Sequence, residues 1–166
     1  MKILESERLI LRQLTVDDAD FMLELMNEPG FIEFVADRGL RTPADAAGYI
    51  TEKILPSYAR FGFGFYRVEL KEAGTPIGIC GLVKRETLPE VDVGFALLAR
   101  FCGMGYAFEA ATAVLQHARS VLGLTGIVGV TAPGNRESIK LLEKLGLKFQ
   151  RKIHLPGFGP ESLLFG

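Results

Sequence analysis

With two cysteines and two histidines in 166 residues, the chain has little material for a disulfide framework. Cys80 lies in the apolar run Ile77–Val83 and reads as a buried small hydrophobe. Cys102 stands beside a glycine turn, where a thiolate is favoured; its alternative is plain packing. Both readings fit a reducing, cytoplasmic setting. No apolar run reaches the length of a membrane span. The N-terminus, Met1-Lys-Ile-Leu-Glu-Ser-Glu-Arg8, lacks a signal-peptide core. Net charge is −1 and the basic residues are scattered, so neither nucleic acid nor an anionic membrane is an expected partner. Repeats, linkers and low-complexity segments are missing too.

What is present is apolar. A hydrophobic fraction of 48% supports a real core. A chain of this length buries roughly 70% of its unfolded surface, and one domain over residues 1–166 is expected. Arg8–Gln13 reads as a first strand. Thr15-Val-Asp-Asp18 caps a helix carrying Phe21, Leu25 and Met26, which Asn27-Glu-Pro-Gly30 ends. Thr42-Pro43 opens a second helix running to about Ala59. Phe65–Leu70 and Pro76–Lys84 form a hairpin across Lys71–Thr75. Val91–Leu98 is a strand whose internal Gly94 marks a bulge or a close approach. A long helix covers Ala107–Val121, and Gly126–Thr131 is a fifth strand. Arg136–Leu145 is a helix capped by Asn135 and stopped by Gly146. Leu147–Leu155 and Glu161–Phe165 close the sheet. The order predicts an α/β (α+β) fold: a mixed, largely antiparallel sheet of six to seven strands, about four helices and one parallel crossover.

Arg100-Phe-Cys-Gly-Met-Gly-Tyr-Ala107 joins the fourth predicted strand to the long helix. A strand, a glycine turn and a helix N-terminus in that order make an anion site. The first N–H groups of a helix lack internal partners, and the helix dipole places positive charge there. Gly103 and Gly105 let the backbone turn tightly and approach a ligand closely. The dinucleotide fingerprint is excluded because its third glycine position is Phe108, and the G-x-x-x-x-G-K-[ST] phosphate loop is absent.

Arg100-x-x-Gly103-x-Gly105 resembles the pyrophosphate loop of the GNAT superfamily of acyl-CoA-dependent N-acetyltransferases. Three further segments resemble the branch that acetylates ribosomal-protein N-termini (RimJ/RimL-like): Glu5-Ser-Glu-Arg-Leu-Ile-Leu-Arg12, Val91-Asp-Val-Gly-Phe-Ala-Leu97, and the Asn-x-x-Ser helix Asn135–Gly146. The resemblance implies that the fourth and fifth predicted strands splay to admit the pantetheine arm of acetyl-CoA. Backbone groups of Phe95, Ala96 and Leu97 would pair with that arm. Amides of Phe101, Cys102, Gly103, Met104, Gly105, Tyr106 and Ala107 would hold the pyrophosphate. Arg100 would add a positive charge or point into solvent. Asn135 and Ser138 would touch the cofactor, and Asn135 also fits a plain helix N-cap. No metal is implied.

The resemblance also implies direct attack of an amine on the thioester. The tyrosine that many members use as the acid is replaced by Leu142, which leaves Ser138 as the acid or as a capping serine. Asp92, two residues before Gly94, is the candidate base or a solvent-facing strand residue; Glu33, Glu90 and His154 are weaker candidates. Phe31, Phe34, Tyr58, Phe61, Phe63 and Phe65 gather where the family has its acceptor cleft, and Pro156–Pro160 is expected to form the opposite wall. An N-terminal amine, with a pKa of about 7.8, is neutral roughly once in seven at pH 7. A lysine is neutral roughly once in 2,500, a difference of roughly 3.5 kcal/mol. With no strong base evident, an α-amine of a protein or peptide is the leading acceptor. A small amine (polyamine, amino acid or aminoglycoside) and a non-catalytic CoA-binding sensor are the alternatives. A monomer or homodimer is expected.

Overall fold

The computed structural model describes residues 1–166. Its strands are β1 Lys2–Glu5, β2 Leu9–Gln13, β3 Phe65–Leu70, β4 Pro76–Lys84, β5 Val91–Leu97, β6 Val128–Thr131, β7 Phe149–Ile153 and β8 Ser162–Phe165. They form one sheet of eight strands in the order β1-β2-β3-β4-β5-β6-β8-β7. Six to seven strands were expected. The additional one is β1, a short edge strand whose pairing with β2 is interrupted by a register shift between Lys2 and Leu4.

Both predicted threonine caps form. Thr15 accepts the Asp17 N–H at 3.2 Å, and Asp18 accepts the Thr15 N–H at 2.9 Å. Helix α1, Ala19–Met26, follows. Thr42 accepts the Asp45 N–H and Asp45 accepts the Thr42 N–H, each at 3.1 Å, ahead of α3, Pro43–Tyr49. Between them Pro29 opens a short helix that the sequence reading missed, α2, Pro29–Phe34. Proline there is a starter because its fixed φ suits a first helical position and its missing N–H has no helical partner to lose. The second expected helix is interrupted too. A π-helical stretch, Ile50–Ile54, separates α3 from α4, Leu55–Phe61. Pro56 sits just beyond, and a proline in an unbroken α-helix would crowd the carbonyl four residues earlier; widening the preceding turn relieves this. Counting α3 and α4 as one interrupted rod, the sheet has five helices, one more than expected. The others are α5, Tyr106–Ser120, and α6, Arg136–Lys144.

Helix α5 presents Ala110, Ala111, Val114, Leu115 and Ala118 along one buried stripe. This stripe packs in one core cluster with Leu9, Leu11, Tyr66, Val68, Cys80, Leu82 and Val93 of the sheet. A second cluster joins Met22, Leu25 and Met26 of α1 to Ala46, Ile50 and Ile54, with Ile79 and Leu98 beneath. Helices therefore cover both faces of the sheet. Gly94 pairs with Gly81 in regular register, so it marks no bulge. It marks close approach: a Cβ there would lie 2.8 Å from the Phe65 ring.

The feature that positions the site is the β5–β6 junction. These strands are parallel and joined through α5. They pair only at Asp92 with Val128 and Val93 with Gly129. Beyond Val93, β5 continues to Leu97 with no partner on the β6 side. The sheet opens there, at the carboxyl ends of two parallel strands, where open α/β sheets bind ligands.

Candidate active site

A cleft of about 1310 Å³ runs through this opening. Its walls include Asp92, Phe95, Ala96 and Leu97 from β5, Cys102, Gly103, Gly105, Tyr106 and Ala107 from the glycine turn and α5, and Asn135 and Ser138 from the start of α6. Sequence-predicted residues from three separated segments thus face one space. Arg100, Phe101 and Met104 do not line it. The Arg100 guanidinium turns to α1 and donates to Glu24 at 2.8 Å, and Phe101 packs between the two core clusters.

Gly105 is the residue before α5. Its φ is +83° and that of Gly103 is +79°, both in the left-handed region. No side chain caps the helix. The N–H groups of Phe101 and Cys102 are used inside the turn, donating to Leu98 at 2.9 Å and Ala99 at 3.1 Å. They are not free for a ligand, contrary to expectation. From Gly103 to Phe108 the backbone N–H groups donate to no protein atom. A run of unpaired donors, at the positive end of a 15-residue helix and facing a cleft, is an anion cradle. A diphosphate fits it by charge and by donor supply.

The turn is held from outside by a residue not singled out in the sequence. Arg8 donates from Nη1 to the Met104 carbonyl at 3.1 Å and from Nε to Glu109 at 2.7 Å. Its guanidinium lies 4.3 Å from the centroid of the Tyr106 ring. The Glu109 carboxylate also takes the Ser6 hydroxyl and the Arg8 N–H. Burial pushes this carboxyl up, but those hydrogen bonds and the Arg8 charge outweigh it, and the net shift is down. Only the chain position of Arg8, inside the Glu5–Arg12 segment, hinted at it.

Cys102 departs from the expected thiolate. Burial pushes its thiol pKa up, and the nearby charges of Glu28 and Glu137 push it further. Cys80 is fully buried and pushed up to about 12. Leu142, at the position of the missing tyrosine, is buried in the core with its methyl carbons against β6.

Asp92 is not solvent-facing. It is 2% exposed, and its Oδ2 accepts Arg85 Nε at 2.7 Å. Burial pushes its carboxyl up; the Arg85 charge and hydrogen bond pull it back only in part. Its Oδ1 accepts no protein hydrogen bond. Ser138 sits in the first turn of α6, where its N–H donates to Asn135 Oδ1 at 3.3 Å. The Asn135 side chain is therefore an N-cap. The Ser138 hydroxyl makes no bond within the protein. Of the weaker base candidates, Glu33, Glu90 and His154 all lie outside the cleft walls. Phe31, Phe34, Phe61 and Phe65 line it, as does Phe158 from the Pro156–Pro160 loop. Phe63 is core.

The profile of the acetyltransferase (GNAT) domain matches residues 8–148. This chain belongs to the GNAT family. The YkkB protein of Bacillus subtilis (strain 168) is 30% identical over 95 residues, which span 56% of this chain and 55% of that protein. An acetyltransferase from Agrobacterium tumefaciens str. C58 superposes with a TM-score of 0.82 at 29% identity, covering 99% of this chain and 92% of the other. RimL, a ribosomal L7/L12 α-N-protein acetyltransferase solved with coenzyme A, superposes with a TM-score of 0.83 at 14% identity, covering 99% and 96%. At that identity the likeness to RimL is one of fold. No helix is long and apolar enough to cross a membrane.

Proposed function

We propose that this GNAT protein transfers an acetyl group from acetyl-CoA to a primary amine, with the N-terminal α-amine of a protein or peptide as the leading acceptor. One observation carries this reading: the unpaired N–H run from Gly103 to Phe108 opens onto the same cleft as the unpaired edge of β5 and the free hydroxyl of Ser138. Acetyl-CoA supplies an activated acyl thioester. The chain's residues do the rest. The cradle takes the diphosphate, and charge-assisted hydrogen bonds of this kind contribute about 1.5–3 kcal/mol each. A few of them account for much of a micromolar affinity of about 8 kcal/mol. The edge of β5 from Gly94 to Leu97 orients the pantetheine amides and offers a backbone N–H to the developing oxyanion. Asp92, through Oδ1 and a bridging water, takes the amine proton. Ser138 gives a proton to the departing thiolate. RimL, which shares this fold, is named for α-amine acetylation, and a base that reaches the amine only through a water favours an α-amine over a lysine.

Acetyl-CoA consumption tested against a panel of peptide N-termini and small amines decides the acceptor class. Turnover of small amines alone would replace the leading acceptor, and saturable acetyl-CoA binding without transfer to any amine would make the protein a sensor. Ser138→Ala is expected to lower kcat by about 10- to 100-fold while acetyl-CoA affinity changes less than about threefold, since a positioned acid contributes to rate rather than to binding. Titration calorimetry beside steady-state kinetics checks this. Equal losses in both would make Ser138 a binding residue.

A further inference from the structure

Three loops far apart in sequence meet at the acceptor side of the cleft. Arg38 follows α2, Arg85 follows β4, and Phe158 lies between β7 and β8; all three line the cleft. The Arg38 guanidinium lies 5.1 Å from the centroid of the Phe158 ring and that of Arg85 lies 4.7 Å from the same centroid. Two cations sharing one ring repel each other, and the ring face offsets only part of that. Arg38 has no carboxylate partner. Arg85 has one, Asp92, which engages Nε and leaves both terminal nitrogens without a protein acceptor. The neighbouring Lys84 ammonium donates only to the carbonyls of Arg85 and Leu88, at 2.8 and 2.6 Å. Glu86, the other carboxylate on this wall, pairs with none of these cations. An acidic acceptor wall would have favoured a polycation; this wall carries Arg38, Lys84 and Arg85 against Asp92 and Glu86.

We propose that the acceptor carries an anionic group, a carboxylate or phosphate, bound by Arg38 and Arg85 beside Phe158. Arginine forks match such groups in two-point fashion. Arg85 also touches the carboxylate assigned to the amine proton, so the anion and the reacting amine belong to one molecule and stand close together. A peptide with an acidic residue soon after its N-terminus and a free amino acid both meet that description. The inference rests on the proposed acetyl transfer.

The test uses acceptors that differ in one anionic group, a short peptide beginning Ser-Asp against one beginning Ser-Asn and methionine against methioninamide, with each rate taken per neutral amine because amidation also lowers the pKa of the methionine amine. In at least one pair the anionic member is expected to have a kcat/KM higher by about tenfold or more, the size of one charge-assisted hydrogen bond. Preference in the first pair assigns a peptide, in the second a small amine. Arg38→Gln, at an exposed side chain without hydrogen bonds, should remove the preference mainly through KM. The neutral member should lose less than the anionic one, and acetyl-CoA affinity should stay within about twofold. Equal turnover of both members in both pairs, or a preference that survives Arg38→Gln, overturns the proposal while acetyl transfer stands. No transfer to any of the four overturns this inference, and no transfer to any amine of the wider panel, with acetyl-CoA bound, overturns the transferase reading as well.

Discussion

Gly103→Glu is expected to lower acetyl-CoA affinity about 100-fold or more in a protein that still folds. Gly103 has a φ of +79°, so any side chain strains the backbone, at roughly 1–2 kcal/mol. Space is not the obstacle, because a Cβ there meets nothing within 4 Å. The decisive term is charge. A glutamate at this point sets an anion among donors that await one. Two like charges about 4 Å apart at an effective dielectric of 20 repel by about 4 kcal/mol, nearly a thousandfold in affinity. Gly103→Ala carries the same backbone strain without the charge and should lose far less. Calorimetric titration of both variants with acetyl-CoA, beside circular dichroism, gives the answer. Unchanged affinity in folded Gly103→Glu places the diphosphate elsewhere. Equal losses in the two variants would make loop strain, not charge, the cause.

That cradle was legible in the sequence because it is local. A strand, two glycines and a helix start fall within about a dozen neighbouring residues, and backbone donors need no distant partner. The caps at Thr15, Thr42 and Asn135 were legible for the same reason. What the sequence hid depends on contacts between distant segments. Asp92 read equally as a base or as a solvent-facing residue, because a strand position does not say whether its face is covered; here it is, and Arg85 pairs with the carboxylate. Arg100 looked like part of the anion loop, and only the approach of α1 gives it Glu24 as a partner. Arg8, Arg38 and Phe158 carried no motif of their own. Asn27–Gly30 does end α1, but the short α2 was missed because proline both follows helices and starts them, and the choice depends on what lies beyond. The family resemblance supplied the splay between β5 and β6, which periodicity alone does not reveal.

The largest stability effect is expected at Asp18, under the start of α1. Its side chain is 2% exposed. It accepts Arg12 Nη2 at 2.7 Å, Arg12 Nη1 at 3.0 Å, Arg67 Nη1 at 2.8 Å and the Thr15 N–H at 2.9 Å. One carboxylate therefore ties β2, β3 and the entry to α1, the helix whose Met22 and Met26 also line the cleft. Breaking a buried ion pair from one side costs about 3–5 kcal/mol. Glu69 still pairs with both arginines, at 3.2 and 3.6 Å, so Asp18→Asn should fall at the low end, about 3 kcal/mol. In a chain of this size that corresponds to roughly 6–12 °C in Tm. The pH dependence follows from the sign of the shift. Burial pushes the Asp18 carboxyl up, but the bonds from Arg12, Thr15 and Arg67 outweigh it and its pKa is lowered. A lowered carboxyl stabilises the fold above its unfolded value of about 3.9 and loses that stabilisation as pH falls through the folded value. Asp92 runs the other way: its raised carboxyl favours the fold at low pH and loses that contribution as pH rises from about 3.9 through the folded value. The two partly cancel in the wild-type profile. The difference between wild type and Asp18→Asn removes the Asp92 term, which both share. That difference in Tm should be full at pH 7 and shrink as the pH falls below about 4. A gap that stays constant down to pH 2.5 would mean that Asp18 acts through packing and neutral hydrogen bonds, and that its charge does not hold the two arginines.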